Sequence, residues 1–259
     1  MSVLILEELT IVTPLGVKFR DESTNAIVSD DLVVTLHPEG APERKTRGVI
    51  NRSGVFVFRN LPGMREVEQG AGDEAFWATH PPQFGFVLEV TDRAARFLPY
   101  AFALQLPARR LLTLPTASPF EPTDALPLFS APSREAVEAM AIIRMELVDS
   151  VNHEPAAWAL VEATTERTTT RGLADERGRL MIAVPYPPPH IVLGSLPSAD
   201  PAWSVDIAIR YARRAPVPTR PDFEDVLTQP IASTTTATLH FGQELQLAPI
   251  PITPAGSPP

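Results

Sequence analysis

Apolar and polar residues alternate strictly in several stretches of the chain. Trp203, Val205, Ile207, Ile209 and Tyr211 alternate with Ser204, Asp206, Ala208 and Arg210. A period of two puts the first set on one face of an extended segment, as in a strand with one side on a core and the other in water. The same pattern joins Phe84, Phe86, Leu88 and Val90, then Ile143, Met145 and Leu147, then Leu180, Ile182 and Val184, then Leu239, Phe241, Leu245 and Leu247. Short alternating strands between turn residues predict an all-β fold of antiparallel sandwiches. Proline supports this, at 29 of 259 residues, about twice the usual ~5%. It removes backbone donors and excludes long helices. Only a short helical piece is expected, over Ser133–Met140 with Ser133 as its cap.

The two halves repeat one another. Arg47–Phe56 read RGVINRSGVF and Arg171–Leu180 read RGLADERGRL, with Asn51 or Asp175 three positions before Gly54 or Gly178. An Asn or Asp closely followed by Gly suits a tight connection that needs positive φ. Upstream, Phe19-Arg20-Asp21 precedes Leu32-Val33-Val34 much as Leu147-Val148-Asp149 precedes Trp158–Val161; downstream, the Phe84 strand matches the Trp203 strand. Repeated order predicts two tandem sandwich domains, residues 1–111 and 140–249. A Pro-rich linker (112–139) joins them and a Pro-rich tail (250–259) follows. Proline spacing in the tail argues against a central strand.

The order of these elements resembles the transthyretin-like or carboxypeptidase-regulatory-like sandwich, in which a strand ending at Asp21 or Asp149 is followed by a turn, a strand and R-G-x-x-[ND]-x-x-G. Ala174–Leu180 comes close to that family's turn, and Asn51–Phe56 is a looser copy. A narrower stretch, Arg96–Tyr100 with Leu106–Arg110, is similar to accessory proteins of phage-tail-like contractile injection particles, as are Gly172–Arg179 and Pro185–Pro188. These resemblances imply binding and assembly, and they bring over no catalytic residue.

Charge and composition narrow the chemistry. A net charge of −9 without a Lys/Arg cluster argues against a broad nucleic-acid surface. Only Lys18 and Lys45 among the 22 basic residues are lysines; arginine is favoured at protein interfaces, although Arg-rich codon usage leaves the same mark. Without cysteine there is no disulfide or thiolate. The opening MSVLILEELT has no basic start and turns acidic early, unlike a secretory signal, and no apolar run reaches the ~18 residues that cross a bilayer. The expectation is cytoplasmic synthesis, incorporation into a particle, and no membrane insertion.

No catalytic, cofactor-binding or metal-binding residue is assigned. The five histidines lack metal-ligand spacing; His37, His80 and His190 read as loop residues beside prolines, and His240 as the polar side of a strand. G-x-S-x-G is absent, and Ser53 lies in a repeated turn whose counterpart is Arg177. Acidic pairs such as Asp30-Asp31, Asp73-Glu74 and Asp175-Glu176 read as solvated turn charge, with calcium binding and carboxylate catalysis as alternatives. Aromatics carry the binding candidates. Phe76 and Trp77 lie in the long segment 62–83, and its counterpart, 185–201, contains neither Phe nor Trp; the pair either anchors a partner or plugs the sandwich end. Tyr186, ahead of three prolines, either presents a polyproline surface or guards a sheet edge. Trp158 and Trp203 are expected in the core. The reading is a non-enzymatic structural adaptor or accessory subunit whose partners are other protein subunits. The alternative is a carbohydrate- or peptide-recognition module that binds through loops at one sandwich end.

Overall fold

The computed structural model describes residues 12–109, 111–112, 124–166, 168–186 and 202–254. The chain forms two compact units, Met1–Phe19 with Ile27–Val90 and Ala101–Leu126, and Arg20–Ala26 with Thr91–Tyr100 and Pro127–Pro259. The fold is all-β, and its three described helices have at most six residues.

The first half supplies β1 (Gly16–Val17), β2 (Phe19–Asp21), β3 (Ile27–Val28), β4 (Leu32–Pro38), β5 (Thr46–Arg47), β6 (Val49–Ile50), β7 (Phe56–Val57), β8 (Phe84–Asp92) and β9 (Tyr100–Leu106). The short helices α1 (Arg65–Glu68) and α2 (Glu74–Thr79) lie between β7 and β8. One sheet has the order β5-β4-β8-β9, and β1-β7-β6 forms another. Alternation places Val34, Leu36, Phe86, Leu88 and Val90 inside, as the period of two requires. Phe19 meets Phe56 edge to face at 5.7 Å.

The second half supplies β10 (Leu126–Leu128), β11 (Met140–Asp149), β12 (Leu160–Thr164), β13 (Thr169–Leu173), β14 (Arg179–Pro185), β15 (Ala202–Arg210), α3 (Phe223–Leu227), β16 (Ile231–His240), β17 (Glu244–Gln246) and β18 (Ile250–Ile252). The sheet β13-β12-β15-β16 repeats the order of β5-β4-β8-β9. A second sheet has β11 between β14, antiparallel, and β17 and β18, both parallel to it. Ile143, Met145, Leu147, Val161, Ile182, Val205, Ile207 and Ile209 fill the core between them. Each such side chain contributes about 1.5–3 kcal/mol by leaving water.

The proline-rich stretches take part in the sheets. In β18, Pro251 sits opposite Val148, flanked by Ile250 and the fully buried Ile252. Ser150 N donates to Ile252 O at 2.8 Å. A parallel ladder uses alternate residues, so the proline, without an N–H, occupies the position that faces away. β10 has a similar form, with proline between two large apolar residues, Leu-Pro-Leu: Leu126 N donates to Lys18 O and Glu22 N donates to Leu128 O. Residues 113–123 of the expected linker and 255–259 of the expected tail lie outside the described residues.

Three local expectations are corrected. Ser133–Met140 is not a helix: it runs through turns and irregular backbone into Met140, the first residue of β11. There the Arg144 guanidinium takes the carbonyls of Pro132 and Arg134, and the second, at 3.0 Å, is one that a helix capped by Ser133 would need for its own ladder. Phe241 lies in the turn after β16, 58% exposed, where Gly242 has φ 72°. His37 is not a loop residue: it is buried near the end of β4, its Nδ1 2.9 Å from Pro38 O and its Nε2 3.8 Å from Glu89.

Candidate interaction surface and charged nodes

The repeated turns are built alike. Asn51 Oδ1 accepts from Ser53 N at 2.9 Å and Val55 N at 3.0 Å; Asp175 Oδ1 accepts from Arg177 N at 2.8 Å and Arg179 N at 2.9 Å. Gly54 and Gly178 both adopt φ 73°. A short side-chain acceptor replaces the missing backbone partner of a tight turn, and glycine takes the left-handed position without strain.

Strand-end aspartates make a second recurring device. Asp149, with no exposure, accepts from Val151 N at 2.9 Å, from Arg213 through Nε (2.8 Å) and Nη2 (2.7 Å), and from the Tyr211 hydroxyl at 3.3 Å. Asp21 accepts from Ser23 N at 2.9 Å and Thr24 Oγ1 at 3.0 Å, and the Arg134 fork binds both of its oxygens at 3.1 and 2.7 Å. Asp92 accepts from Arg96 through both backbone N (2.8 Å) and Nε (3.0 Å). Two-pronged guanidinium–carboxylate contacts are short, directional and stronger than neutral bonds. The Arg213 guanidinium holds the Asp149 carboxyl below its ordinary pKa. Burial opposes ionisation of Asp21, yet Arg134 and the turn donors hold it low. Burial pushes the Tyr211 hydroxyl up to about 12, with the Asp149 charge adding to the shift. Glu22 moves the other way: burial raises its pKa against the pull of Arg20 and Arg171.

Sequence reasoning noticed Asp21 and Asp149 as strand ends but missed their arginines. Arg213 is a long way from Asp149 in sequence and Arg134 from Asp21, so no local spacing could reveal them. Of the acidic pairs expected as solvated charge, Asp73 caps α2 through Phe76 N at 2.8 Å, while Asp175 shapes its turn. The described residues hold no group of three or more His, Asp or Glu side chains placed to bind a metal.

Phe76 and Trp77 sit on α2 and are half-buried. The Phe76 ring stacks on His80 at 4.2 Å and meets Trp77 edge-on at 5.3 Å. Trp77 Nε1 donates to Gly72 O at 3.0 Å. Phe76 lies so close to Gly70 that a Cβ there would meet its ring at 2.1 Å. An ion pair joins Glu74 to Arg109. The pair is thus a locally braced knot with its outer edges in water.

Tyr186 is placed elsewhere. Its ring meets Trp203 at 5.3 Å and Phe241 at 4.5 Å, and its hydroxyl accepts from Gly242 N at 3.0 Å. Trp158 is a core residue, 2% exposed, with Nε1 donating to Pro218 O at 2.9 Å. Trp203, expected in the core, is only half-buried in the aromatic group around Tyr186. Residues 187–201, the second half's counterpart of the Phe76–Trp77 segment, lie outside the described residues.

No protein-family model and no curated protein sequence matches the chain. Among solved structures, the chain is similar to the 9R-lipoxygenase from Cyanothece PCC8801, with 13% identity over 49% of this chain and 19% of that one and a TM-score of 0.30. It is similar to the Bacillus anthracis TIE protein, with 10% identity over 94% and 34% and a TM-score of 0.26. It is also similar to a mutant of the shaft pilin spaA from Lactobacillus rhamnosus GG, with 11% identity over 96% and 100% and a TM-score of 0.27. The chain spans 19% of the lipoxygenase and 34% of the TIE protein. Nothing about function passes from these likenesses to this chain.

Proposed function

We propose that the chain is a non-enzymatic structural adaptor or accessory subunit of a multiprotein assembly, built from two tandem transthyretin-like sandwiches, and that the assembly is a phage-tail-like contractile injection particle. The observation that supports this most is the use made of the buried carboxylates. Asp21, Asp92 and Asp149 are each locked to an arginine and to backbone donors, an arrangement that stiffens the strand ends. Phe76 and Trp77 then serve as contact residues for another subunit. They are braced from behind by Gly70, Gly72 and His80, and pre-organised aromatic anchors lose little entropy on binding. The test is to tag the protein in the cells that produce it and fractionate their lysate by size under native conditions. Recovery in a large particle at a fixed ratio to other subunits supports the proposal. Recovery only as free protein contradicts it.

One observation favours a second reading, a carbohydrate- or peptide-recognition module. Tyr186, Trp203 and Phe241 form one aromatic group, with Phe241 58% exposed, and aromatic faces are suited to sugar rings and proline-rich peptides. Ligand-induced change in tryptophan fluorescence across a glycan and peptide panel, lost on Phe241→Ala, would establish it.

A further inference from the structure

We propose that Ser233–Leu239 of β16, along the edge away from β15, pairs antiparallel with the same stretch of a second copy of this chain, with Thr236 opposite itself. β16 is the last strand of its sheet, and among the described residues it is laddered to β15 alone. A strand edge presents a row of unused N–H and C=O groups, which folds ordinarily blunt with charge, proline or a bulge. β10 and β18 carry Pro127 and Pro251, and β13, at the far edge of the same sheet, carries Arg171. Ile231–Leu239 reads IASTTTATL, with neither charge nor proline. Its single irregularity lies at one end, where the register shifts between Ile209 and Arg210, so the ladder from Ser233 to His240 is regular.

The residue order identifies the second copy as the occupant. Leu239 is fully buried and Ala237 packs against the core, so the period of two puts the odd positions on the core side, where Thr235 is itself exposed at the sheet edge, and puts the exposed Thr234, Thr236 and Thr238 on the outer side. With Thr236 on the two-fold axis, Thr234 opposes Thr238 of the second copy, so the three outer pairs centred on the axis are Thr against Thr. Such cross-strand pairs are favourable in sheets. On the inner face Thr235 opposes Ala237 and Ser233 opposes Leu239, so the core sides of both sheets stay aligned. A one-residue slip would reverse the faces. In a self-paired strand, any charge near the axis opposes its own copy, and this edge carries none. The inference stands on β16 itself, so a dimer outside any large particle would count against the proposed assembly and not against this pairing.

The chain has no cysteine, so Thr236→Cys introduces a single thiol. Under mild oxidation, T236C forms a disulfide-linked dimer, whereas T234C, whose nearest residue across the edge is Thr238, does not. In sedimentation, the unmodified protein runs at twice the chain mass and T236K at the chain mass, with unchanged circular dichroism and melting temperature. A monomeric unmodified protein at all concentrations, or equal cross-linking of T234C and T236C, overturns the proposal.

Discussion

Asn51 and Asp175 occupy the same place in two turns of one design. Each side chain accepts from the backbone N–H groups two and four residues ahead, and each is followed by a glycine at φ 73°. The surroundings of the two glycines differ. A Cβ on Gly178 would meet Leu147 O at 2.3 Å, while one on Gly54 would find only Ile27 Cγ2 at 3.6 Å. Gly54→Ala is therefore expected to lose about 1 kcal/mol, the ordinary left-handed penalty. Gly178→Ala adds a backbone collision to the same strain and should lose at least twice as much. Urea denaturation of both variants checks the ordering, and equal losses would refute the steric account.

Much of the architecture was legible in the sequence because alternation and turn chemistry are local signals. The Phe84 and Trp203 patterns became β8 and β15, and the repeated turn emerged with matching bonds. What was not legible depends on contacts distant in sequence. Proline spacing speaks against a strand in isolation, yet Pro251 fits where only alternate residues bond to β11, which no local pattern reveals. Arg213 and Arg134 read as ordinary basic residues until the fold brings them to Asp149 and Asp21. Phe76, Trp77 and Tyr186 were legible as candidates, but the sequence did not show that Tyr186 belongs with Trp203 and Phe241.

The parallel strand β18 gives a second prediction. Ending the chain after Ala248 removes Ile250–Ile252, takes the buried Ile252 from the core and bares the edge of β11. Loss of that isoleucine alone corresponds to about 2–3 kcal/mol. Chemical denaturation should show at least that decrease. An unchanged midpoint would mean that β18 contributes no stability.

The Asp149 node sets a pH dependence. Its carboxyl titrates below its ordinary value when folded, so its contribution is full above the unfolded pKa, near 4, and is lost as pH falls through the lower folded value. Asp149→Asn should cost about 2 kcal/mol at neutral pH, less than the ~3–5 for breaking a fully buried pair, because Arg213 remains partly in water. Thermal melts of the two proteins should converge as pH drops below about 4. A constant difference down to strong acid would show that the charge is not what stabilises the turn.

The most direct test of the structural-subunit account replaces Phe76 and Trp77 together by Ala and measures both folding and association. Neither residue is fully buried, so the expected loss of stability is small beside the ~3–5 kcal/mol for truncating a core aromatic such as Trp158. Recovery with the native assembly should fall sharply, since an aromatic anchor at an interface is worth about 2 kcal/mol or more. Lost association at a nearly unchanged melting temperature is the result the account predicts; full association, or a collapse in melting temperature like that of Trp158→Ala, would contradict it.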